Sequence, residues 1–507
     1  MASSNKTIAK NTAFLYVRML VVMAVTLYTT RVVLQVLGAS DYGIYNVVGG
    51  IVAMMNFINA ALSSSSSRFL TYELGAGEKE RLNCTFSASL NLHLVAAVLV
   101  LIISETVGLW FLYEKLVIPP DRMTAAFWVF QFSVVTMMLS FTQVPFNASL
   151  IAHENMSIYA YIGLYEAVTN LLVVYLISIT PADKLIMYAL ILMLNKAVVQ
   201  FFMCLYTSHK YDECRFRIVK DSELYKKLLG YSGWDLIGNL AVVCQGQGIN
   251  ILLNMFFGPV VNAARAVAVQ IQGGVSMFVS NFLLAVRPQV VKSYAEGNSP
   301  RMYQLTFMGA KFSYLLMLAL ILPLCFEIKF VLRIWLGNDV PENTGIFAII
   351  VLITYLMETY HMSSLMAYHA IGRIKTGNLV GGSLMISSLP ISYLLLKLGC
   401  PAYSVFIAIF SVNFIQMIYS WWLIHGYVTF SYRELLRKVY FPTVLISFFA
   451  TVPPLILYLF LPEGWFRFVL ILAITEICLI PFVYHIGLEK EERMQLVTLI
   501  QSKLRRK

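Results

Sequence analysis

Residues 38–81 read GASDYGIYNVVGGIVAMMNFINAALSSSSSRFLTYELGAGEKER: a glycine, a long mostly apolar run, an arginine, and a short polar loop. Residues 258–301 read GPVVNAARAVAVQIQGGVSMFVSNFLLAVRPQVVKSYAEGNSPR and follow the same order with mostly different letters. Three pairs of residues are 220 positions apart (258 − 38, 301 − 81, 401 − 181): Gly38 and Gly258, Arg81 and Arg301, Pro181 and Pro401. A shared spacing within the same order of long and short apolar segments indicates an internal duplication.

The composition places the chain in the membrane class. Of the 507 residues, 59% are hydrophobic and 12% are charged, and the mean hydropathy is +0.74. An ordinary soluble domain carries about 25% charged residues, so this chain is expected to be an all-α integral membrane protein. The net charge of +11 does not require nucleic acid as a partner, because Lys and Arg collect in the cytoplasmic loops of membrane proteins.

The sequence offers no catalytic constellation. Its seven cysteines are scattered without a CxxC pair, and the histidines form no cluster at ligand spacing, which argues against a disulfide framework and a metal site. Walker A, DxD and GxSxG motifs are missing from the sequence, and the predicted external connections are short. We therefore expect no catalytic residue, no metal and no cofactor, and a protein that is not an enzyme.

Apolar runs of about 20 residues predict fourteen membrane spans. The predicted spans are 12–36, 42–67, 84–112, 123–150, 156–178, 184–207, 229–256, 260–286, 303–326, 343–369, 375–397, 402–427, 440–461 and 465–486. Lys6 and Lys10 precede the first run, but that run is long and no small-residue cleavage site follows, so we expect a retained span.

The charge distribution predicts the orientation. Of the 37 Lys and Arg, 25 lie at the termini and in the connections on their side, and nine lie at the opposite ends of the spans. By the positive-inside rule, both termini are expected to be cytoplasmic, with the chain crossing the plasma membrane many times.

The duplication predicts two six-helix lobes in the same orientation, residues 1–218 and 219–433, with a cavity between them. A charged linker at 209–227 is expected to join the lobes. Residues 434–507 add two spans and a tail, in which Met494, Val497, Ile500 and Leu504 share one helical face. The tail is expected to be either a cytoplasmic surface helix attracted to anionic lipid or a solvated segment.

Five cations within or near the spans are candidate cavity residues: Arg18, Arg31, Arg265, Lys196 and Lys311. A charge at mid-bilayer costs about 2.5–3.5 kcal/mol on insertion scales, so each requires a reason. Lining a cavity that binds phosphate is one reason, because arginine grips phosphate oxygens with two N–H groups. A structural ion pair or a side chain reaching towards the interface is the alternative.

Four further residues are candidates for ion coupling or gating. Glu358 and His361 are three positions apart, hence on one helical face, and could hold a proton or a sodium ion, or form a hydrogen-bonded core pair. At the 220-residue spacing, Asp235 corresponds to Leu15, which lies one helical turn from Arg18 in the other repeat. This suggests a gate pair between Arg18 and Asp235. Glu166 is a candidate ion-pair partner of Lys196.

Three segments carry a resemblance to a known family: residues 37–51 (LGASDYGIYNVVGGI), 66–78 (SSRFLTYELGAGE) and 144–156 (VPFNASLIAHENM). In these the chain resembles the O-antigen-unit (Wzx-type) flippases of polysaccharide biosynthesis, within the multidrug/oligosaccharidyl-lipid/polysaccharide (MOP) exporter superfamily. The likeness extends from about residue 5 to the end of the chain.

The resemblance implies movement of undecaprenyl-diphosphate-linked oligosaccharide, an O-antigen or capsule repeat unit, from the inner to the outer leaflet of the bacterial inner membrane. It implies a cationic central cavity, with Arg18, Arg31 and Arg265 as its arginines. In the second span the family pattern is not met, because the only arginine there is Arg68, at the cytoplasmic end. Coupling to H⁺ or Na⁺, and use of the membrane potential alone, both stay open.

The partners that follow are the lipid-linked oligosaccharide, membrane lipid, and polysaccharide polymerase and chain-length proteins; nucleic acid is not among them, and we expect a monomer. The alternative function is a cation-coupled multidrug exporter of the same superfamily. A membrane glycan polymerase or ligase is the third reading, against which the short external connections speak.

Overall fold

The protein, in a computed structural model, is described over residues 2–76, 78–153, 155–337, 339–371, 374–489 and 493–494. Every regular element in these ranges is helical. The helices are α1 (Ala2–Ala53), α2 (Asn56–Ala76), α3 (Lys79–Ile103), α4 (Leu109–Glu114), α5 (Met123–Ala152), α6 (Met156–Ser178), α7 (Lys184–Lys210), α8 (Ser222–Phe257), α9 (Pro259–Ala295), α10 (Ser299–Phe326), α11 (Ile328–Leu336), α12 (Thr344–Ile371), α13 (Ile374–Lys397), α14 (Ser404–His425), α15 (Tyr432–Leu435), α16 (Phe441–Phe460) and α17 (Trp465–Phe482). Turns of π-helix at Ser104–Gly108, Leu436–Tyr440 and Val483–Gly487 join or extend them.

Twelve segments of the described chain are long and apolar enough to cross a membrane, and one bent pair of helices brings the number to 13. Fourteen spans were expected, and the difference lies in the first two, 12–36 and 42–67. Helix α1 runs through the first and into the second, with its helical geometry interrupted only at Gly38. The second predicted span is broken at residues 54–55, where the chain bends by 50° before α2.

The helix boundaries follow the predicted duplication. Helices α3 and α10 begin 220 residues apart (299 − 79), and so do α7 and α14 (404 − 184). Gly38 has φ 78° and ψ 168°, and its counterpart Gly258 has φ 79° and ψ −175°. A side chain would be strained at this positive φ, so glycine is needed at the same point of both copies.

Contacts divide the chain into two compact units. Unit 1 contains Met1–Val267, Trp335–Asn343 and Asn378–Val405. Its apolar core is formed by buried residues of α1, α2, α3, α5 and α7, among them Val48, Phe130 and Phe141. The second half of α1 lies close to α8 through small residues, a recurrent feature of helix packing in membranes.

The linker between the repeats is shorter than predicted. Residues 209–227 were expected to connect the lobes, but α7 continues to Lys210 and α8 begins at Ser222. The reason is a helix cap: the carboxylate of Asp221 accepts hydrogen bonds from the backbone N–H groups of Glu223 and Leu224 at 3.0 and 3.1 Å. Only residues 211–221 lie between the two helices.

Unit 2 contains Ala268–Ile334, Thr344–Gly377 and Phe406–Lys507. A stack of tyrosine rings ties its helices together: Tyr360 of α12 lies 4.8 Å from Tyr314 and 4.7 Å from Tyr440, between ring centroids. The hydroxyl of Tyr360 shares a hydrogen bond of 2.6 Å with Thr443, at the start of α16. The first of the two additional C-terminal helices is therefore part of this core.

A buried ion pair holds the second additional helix. Arg467 of α17 donates from Nε to Glu327 Oε1 at 2.5 Å and from Nη2 to Oε2 at 2.9 Å. Glu327, at the end of α10, is 0% exposed, and Arg467 also donates to the Leu461 carbonyl. Its guanidinium carbon lies 4.7 Å from the centroid of the Tyr458 ring. Two parallel hydrogen bonds between the guanidinium and the carboxylate compensate the charges of both Arg467 and Glu327.

The predicted lobes, 1–218 and 219–433, stay a prediction from the repeat. Most of the predicted tail helix lies outside the described residues.

Removing one member of the Glu327–Arg467 pair is expected to destabilise the protein by about 3–5 kcal/mol, because the other charge is left buried and uncompensated. Glu327→Gln should therefore lower the thermal unfolding temperature of the purified protein strongly, whereas the double variant Glu327→Leu/Arg467→Met should recover much of the loss. The exposed pair Arg333–Glu463, at 3.1 Å in the same unit, is the control. Glu463→Gln is expected to cost about 1 kcal/mol or less; equal losses for Glu327→Gln and Glu463→Gln would contradict the assignment.

Candidate functional site

Arg265 is held at membrane depth by a backbone carbonyl. It lies in α9, two turns after the helix begins, and its Nη2 donates to the Gly246 carbonyl of α8 at 2.6 Å. Gly246 is 11 residues from the end of α8 (257 − 246), about 16 Å along the axis and about half of a hydrocarbon core of about 30 Å. The guanidinium therefore reaches inwards, away from the nearest membrane boundary.

The bond to Gly246 satisfies one of the five N–H donors of Arg265 and brings no negative charge. In the described chain, no carboxylate lies within ion-pair distance of this guanidinium. A carbonyl dipole solvates a cation without neutralising it, so the positive charge stays available to an anion. In this respect Arg265 differs from Arg467 and Lys196, each of which is paired with a carboxylate.

A chain of buried amides lies one turn from Arg265 and links three helices of unit 1. Asn262 of α9 donates to the Asn250 carbonyl at 2.6 Å and to its Oδ1 at 2.7 Å. Asn250 of α8 donates to the Asn46 carbonyl of α1 at 3.1 Å. Close approach makes these bonds possible, since a Cβ on Gly50 would lie 2.9 Å from the Asn250 amide. The backbone around Arg265 is thus fixed on both neighbouring helices.

Two other predicted cations of unit 1 differ in their surroundings. Lys196 of α7 forms an ion pair with Glu166 of α6, Nζ to Oε1, at 3.1 Å, so the predicted alternative partner is the one the structure provides. Arg31 lies half-buried in α1, one turn after Leu27. The Leu27 carbonyl accepts a hydrogen bond of 2.6 Å from the indole of Trp335.

The remaining candidates are divided between unit 2 and the part of the chain that is not described. Lys311 of α10 is 3% exposed, with Nζ 4.9 Å from the centroid of the Phe312 ring. The side chains of Arg18 and Asp235 lie outside the described structure, and so does the predicted gate pair between them.

Glu358 has a partner other than the one considered from sequence. Asn413 of α14 donates its amide to the Glu358 carboxylate of α12. His361, one turn along α12, has a buried Nδ1 with no hydrogen-bond partner in the described chain, and the same holds for Oδ1 of Asn413. The Glu358 carboxylate and the orphan Oδ1 of Asn413, which is bonded to it, are groups that a proton or a small cation would satisfy.

A cavity of about 250 Å³ opens between α9 and α12 in unit 2. Its lining residues are Ser280, Leu283, Arg287, Met362, Leu365, Met366 and His369. Arg287 lies seven residues after Ser280 in α9, and His369 lies seven residues after Met362 in α12. The two basic groups therefore share one end of the cavity. At the other end, the Tyr355 hydroxyl donates to the Met362 sulfur at 3.5 Å. The cavity thus extends from a basic end to Met362, one helical turn after Glu358 in α12.

One cluster was missed by sequence reasoning. Arg122 binds two carboxylates at once, Asp41 through Nε at 2.9 Å and Asp183 through Nη1 at 2.5 Å. Burial opposes ionisation of Asp183, but the hydrogen bonds from Arg122 and from the first N–H groups of α7 outweigh it and lower its pKa. The three residues are separated by 81 and 61 positions, so no local pattern announces them.

With this geometry in place, the chain can be set beside known proteins. No protein-family model and no curated protein sequence matches it. Solved structures do. The lipid II flippase MurJ in an inward closed conformation has a TM-score of 0.69 at 13% identity, covering 94% of this chain and 98% of that one.

Two other solved structures share the architecture over less of the chain. A multidrug resistance MATE family transporter in an inward-facing conformation has a TM-score of 0.64 at 15% identity, covering 80% of this chain and 94% of that one. A MOP superfamily transporter from Pyrococcus furiosus, described by the reverse polarity of its binding pocket, has a TM-score of 0.61 at 15% identity. It covers 84% of this chain and 96% of that one.

The chain shares its fold with these solved transporters. At these identities the likeness concerns the fold, and it agrees with the predicted all-α membrane architecture of six-helix repeats with additional helices. The protein is thus a multi-pass membrane protein whose structural neighbours are transporters.

The Lys196–Glu166 pair is expected to be structural. Lys196 lies near the middle of its span, so Glu166→Gln should lower the free energy of unfolding by about 2–3 kcal/mol, the cost of an unpaired cation at that depth. The double variant Glu166→Gln/Lys196→Gln should be closer to wild type than Glu166→Gln alone. A double-mutant cycle on thermal unfolding of the purified protein measures this; additive losses would show that the two residues do not depend on each other.

Proposed function

We propose that this protein is a flippase that moves undecaprenyl-diphosphate-linked oligosaccharide from the inner to the outer leaflet of the bacterial plasma membrane. The cargo would be an O-antigen or capsule repeat unit. Transport would proceed by alternating access through a cationic cavity between the repeat lobes. Both termini would be cytoplasmic.

The observation that carries the proposal is how much of the chain a flippase fold accounts for. Residues 1–433 make up 85% of the chain (433 of 507), so a likeness over 94% has to include residues after 433. A likeness over 80% of the chain, as with the MATE transporter, does not have to include residues after 433. The likeness to the lipid flippase therefore includes part of residues 434–507, where α16 and α17 are built into unit 2 by Tyr360 and Arg467.

Arg265 supports an anionic cargo. Its charge is solvated by a carbonyl dipole at about mid-membrane depth, and four of its N–H donors remain for phosphate oxygens in the described chain. Arg31 and Arg18 on α1, and Lys311 on α10, are the further cations assigned to the diphosphate. Lys196 contributes less in this proposal, because Glu166 neutralises it.

The chemistry of the cargo fits such a path. The polyprenyl tail belongs in the bilayer, whereas the diphosphate and sugars lose their water on crossing it. Basic groups replace that water around the phosphates while the tail stays in lipid. A membrane potential negative inside favours outward movement of an anion by about 2.3 kcal/mol per charge per 100 mV.

Ion coupling is assigned to Glu358. Its carboxylate, the orphan Asn413 Oδ1 and the orphan His361 Nδ1 supply the groups that an incoming H⁺ or Na⁺ would bind. The cavity that begins at Arg287 and His369 extends to Met362, one helical turn from Glu358 in α12. Asp235 and Glu166 are the other acids considered for coupling or gating, and Glu166 is engaged by Lys196.

The surrounding partners follow from the proposed cargo. Membrane lipid surrounds the spans, and polysaccharide polymerase and chain-length proteins would receive the exported unit. The protein would act as a monomer, without a bound cofactor.

The second candidate is a cation-coupled multidrug exporter. The same Glu358–Asn413 group supports it, as does the fold likeness to the MATE transporter over 80% of the chain. The experiment that separates the readings is deletion of the gene followed by location of the lipid-linked repeat unit. Accumulation in the inner leaflet supports the flippase, accumulation of single units in the outer leaflet indicates a polymerase, and an unchanged distribution with increased drug sensitivity indicates the exporter.

Arg265→Gln is expected to lower the rate of lipid-diphosphate flipping in proteoliposomes by tenfold or more, because the mid-membrane charge is lost. Arg265→Lys should retain an intermediate rate, since an ammonium keeps the charge but not the fork. Arg301→Gln, which removes an exposed arginine in the first turn of α10, is the control and should flip at the wild-type rate. A folded Arg265→Gln protein that flips at the wild-type rate would exclude this residue from cargo binding.

Glu358→Gln is expected to abolish the response of transport to an imposed H⁺ or Na⁺ gradient while leaving cargo binding within about twofold of wild type. The amide keeps the hydrogen bond with Asn413 but carries no charge. Transport measured in proteoliposomes with and without each gradient tests this, and it also identifies the ion. Full gradient dependence in Glu358→Gln would move the coupling to another acid.

A further inference from the structure

The linker between the repeats is fastened to α3 through its main chain. Asn83 donates from Nδ2 to the carbonyls of Glu213 and Arg215, both at 2.8 Å. Ser87, one turn along α3, accepts from the Arg217 N–H at 3.0 Å. Asn91, one turn further, donates to the Tyr225 hydroxyl at 2.9 Å. A polar row at every fourth residue of α3 therefore fixes the position of residues 213–217.

We call residues 215–220 the linker strap. The main chain at residues 215 and 217 is bound to α3, and every side chain of the strap except that of Val219, which is half-buried, is exposed. The strap reads Arg-Phe-Arg-Ile-Val-Lys. Phe216 is 52% exposed and Ile218 is 80% exposed, and the cations Arg215, Arg217 and Lys220 are exposed beside them. Residues 211–214 separate the strap from the end of the span Lys184–Lys210, so these apolar groups lie past the end of a span, where the hydrocarbon gives way to headgroups.

Of the acidic residues near the strap, Glu213 and Asp221 are engaged by groups outside it, and Asp212 pairs with one of the three strap cations. Glu213 binds His153 at 2.5 Å, and His153 stacks on Tyr211 with ring centroids 4.0 Å apart. Asp221 caps α8. Asp212 lies 3.6 Å from Arg215, with both groups largely exposed. The outward surface of the strap is therefore cationic and apolar at once.

We propose that the linker strap binds the anionic headgroups of the adjacent leaflet. Arg215, Arg217 and Lys220 would contact lipid phosphates, and Phe216 and Ile218 would insert at the boundary of the acyl chains. Alternation of cations with exposed apolar groups matches the two chemistries of an anionic bilayer surface, whereas an acidic soluble protein would not require the apolar groups. This surface is independent of the transported cargo.

Hydrogen–deuterium exchange of the full-length protein in nanodiscs tests the proposal. The peptide covering the strap should exchange about fivefold more slowly in nanodiscs containing phosphatidylglycerol than in pure phosphatidylcholine. That factor corresponds to about 1 kcal/mol, the attraction of one cation to an anionic surface. The difference should shrink at high salt, and it should disappear in Arg215→Gln/Arg217→Gln/Lys220→Gln.

Lys79→Gln/Arg81→Gln, which neutralises two exposed cations at the start of α3, is the matched control and should keep the difference between lipids. Phe216→Ser/Ile218→Ser should reduce protection in phosphatidylglycerol while keeping its salt dependence. Equal exchange in the two lipids, or protection that appears only when a soluble protein is added, would overturn the proposal. Size-exclusion elution and the thermal unfolding temperature verify that each variant is folded.

Discussion

Inside a bilayer, a polar or charged side chain has no water to bind, so it must find its partner within the protein. This constraint accounts for the connections of the structure. The carboxylate of Glu327 is matched by Arg467, Lys196 by Glu166, and the amide of Asn262 by Asn250. Apolar side chains pack against lipid tails about as well as against another helix, so apolar contact alone does not select which helices adjoin. The polar pairs determine which helix faces lie together.

The same constraint separates structural cations from functional ones. Arg467, Lys196 and Arg122 each meet a carboxylate, which cancels their charge where they lie. Among the described residues, Arg265 donates a hydrogen bond to the carbonyl of Gly246, a neutral dipole, and meets no carboxylate. A positive charge maintained at depth without a counter-ion is costly to fold, and binding of an anion offsets that cost. The proposed role of Arg265 rests on this difference in partner.

The architecture could be predicted from the sequence because hydropathy and the 220-residue spacing act over whole helices. The starts of α3 and α10, and the paired backbone at Gly38 and Gly258, follow that spacing. The break at residues 54–55 and the Asp221 cap depend on a few atoms and were not predicted. Site residues were identified by their charge. The pairing of Lys196 with Glu166 was predicted as an alternative, whereas the Gly246 carbonyl that Arg265 meets belongs to the backbone of another helix and could not be predicted. The Glu327–Arg467 contact joins residues 140 positions apart, which no local pattern reveals.

The fastening of α16 and α17 bears on how such a chain could have gained or could lose its last helices. A stop codon after residue 433 would leave every earlier segment free to insert, but the Glu327 carboxylate at the end of α10 would lose Arg467 and the Tyr360 hydroxyl would lose Thr443. The shortened protein would carry an uncompensated anion where α17 had packed. A neutral residue at position 327 removes that cost, so we expect this mutation to precede any loss of the last two helices, which makes the order of the two mutations a constraint on the evolution of the chain.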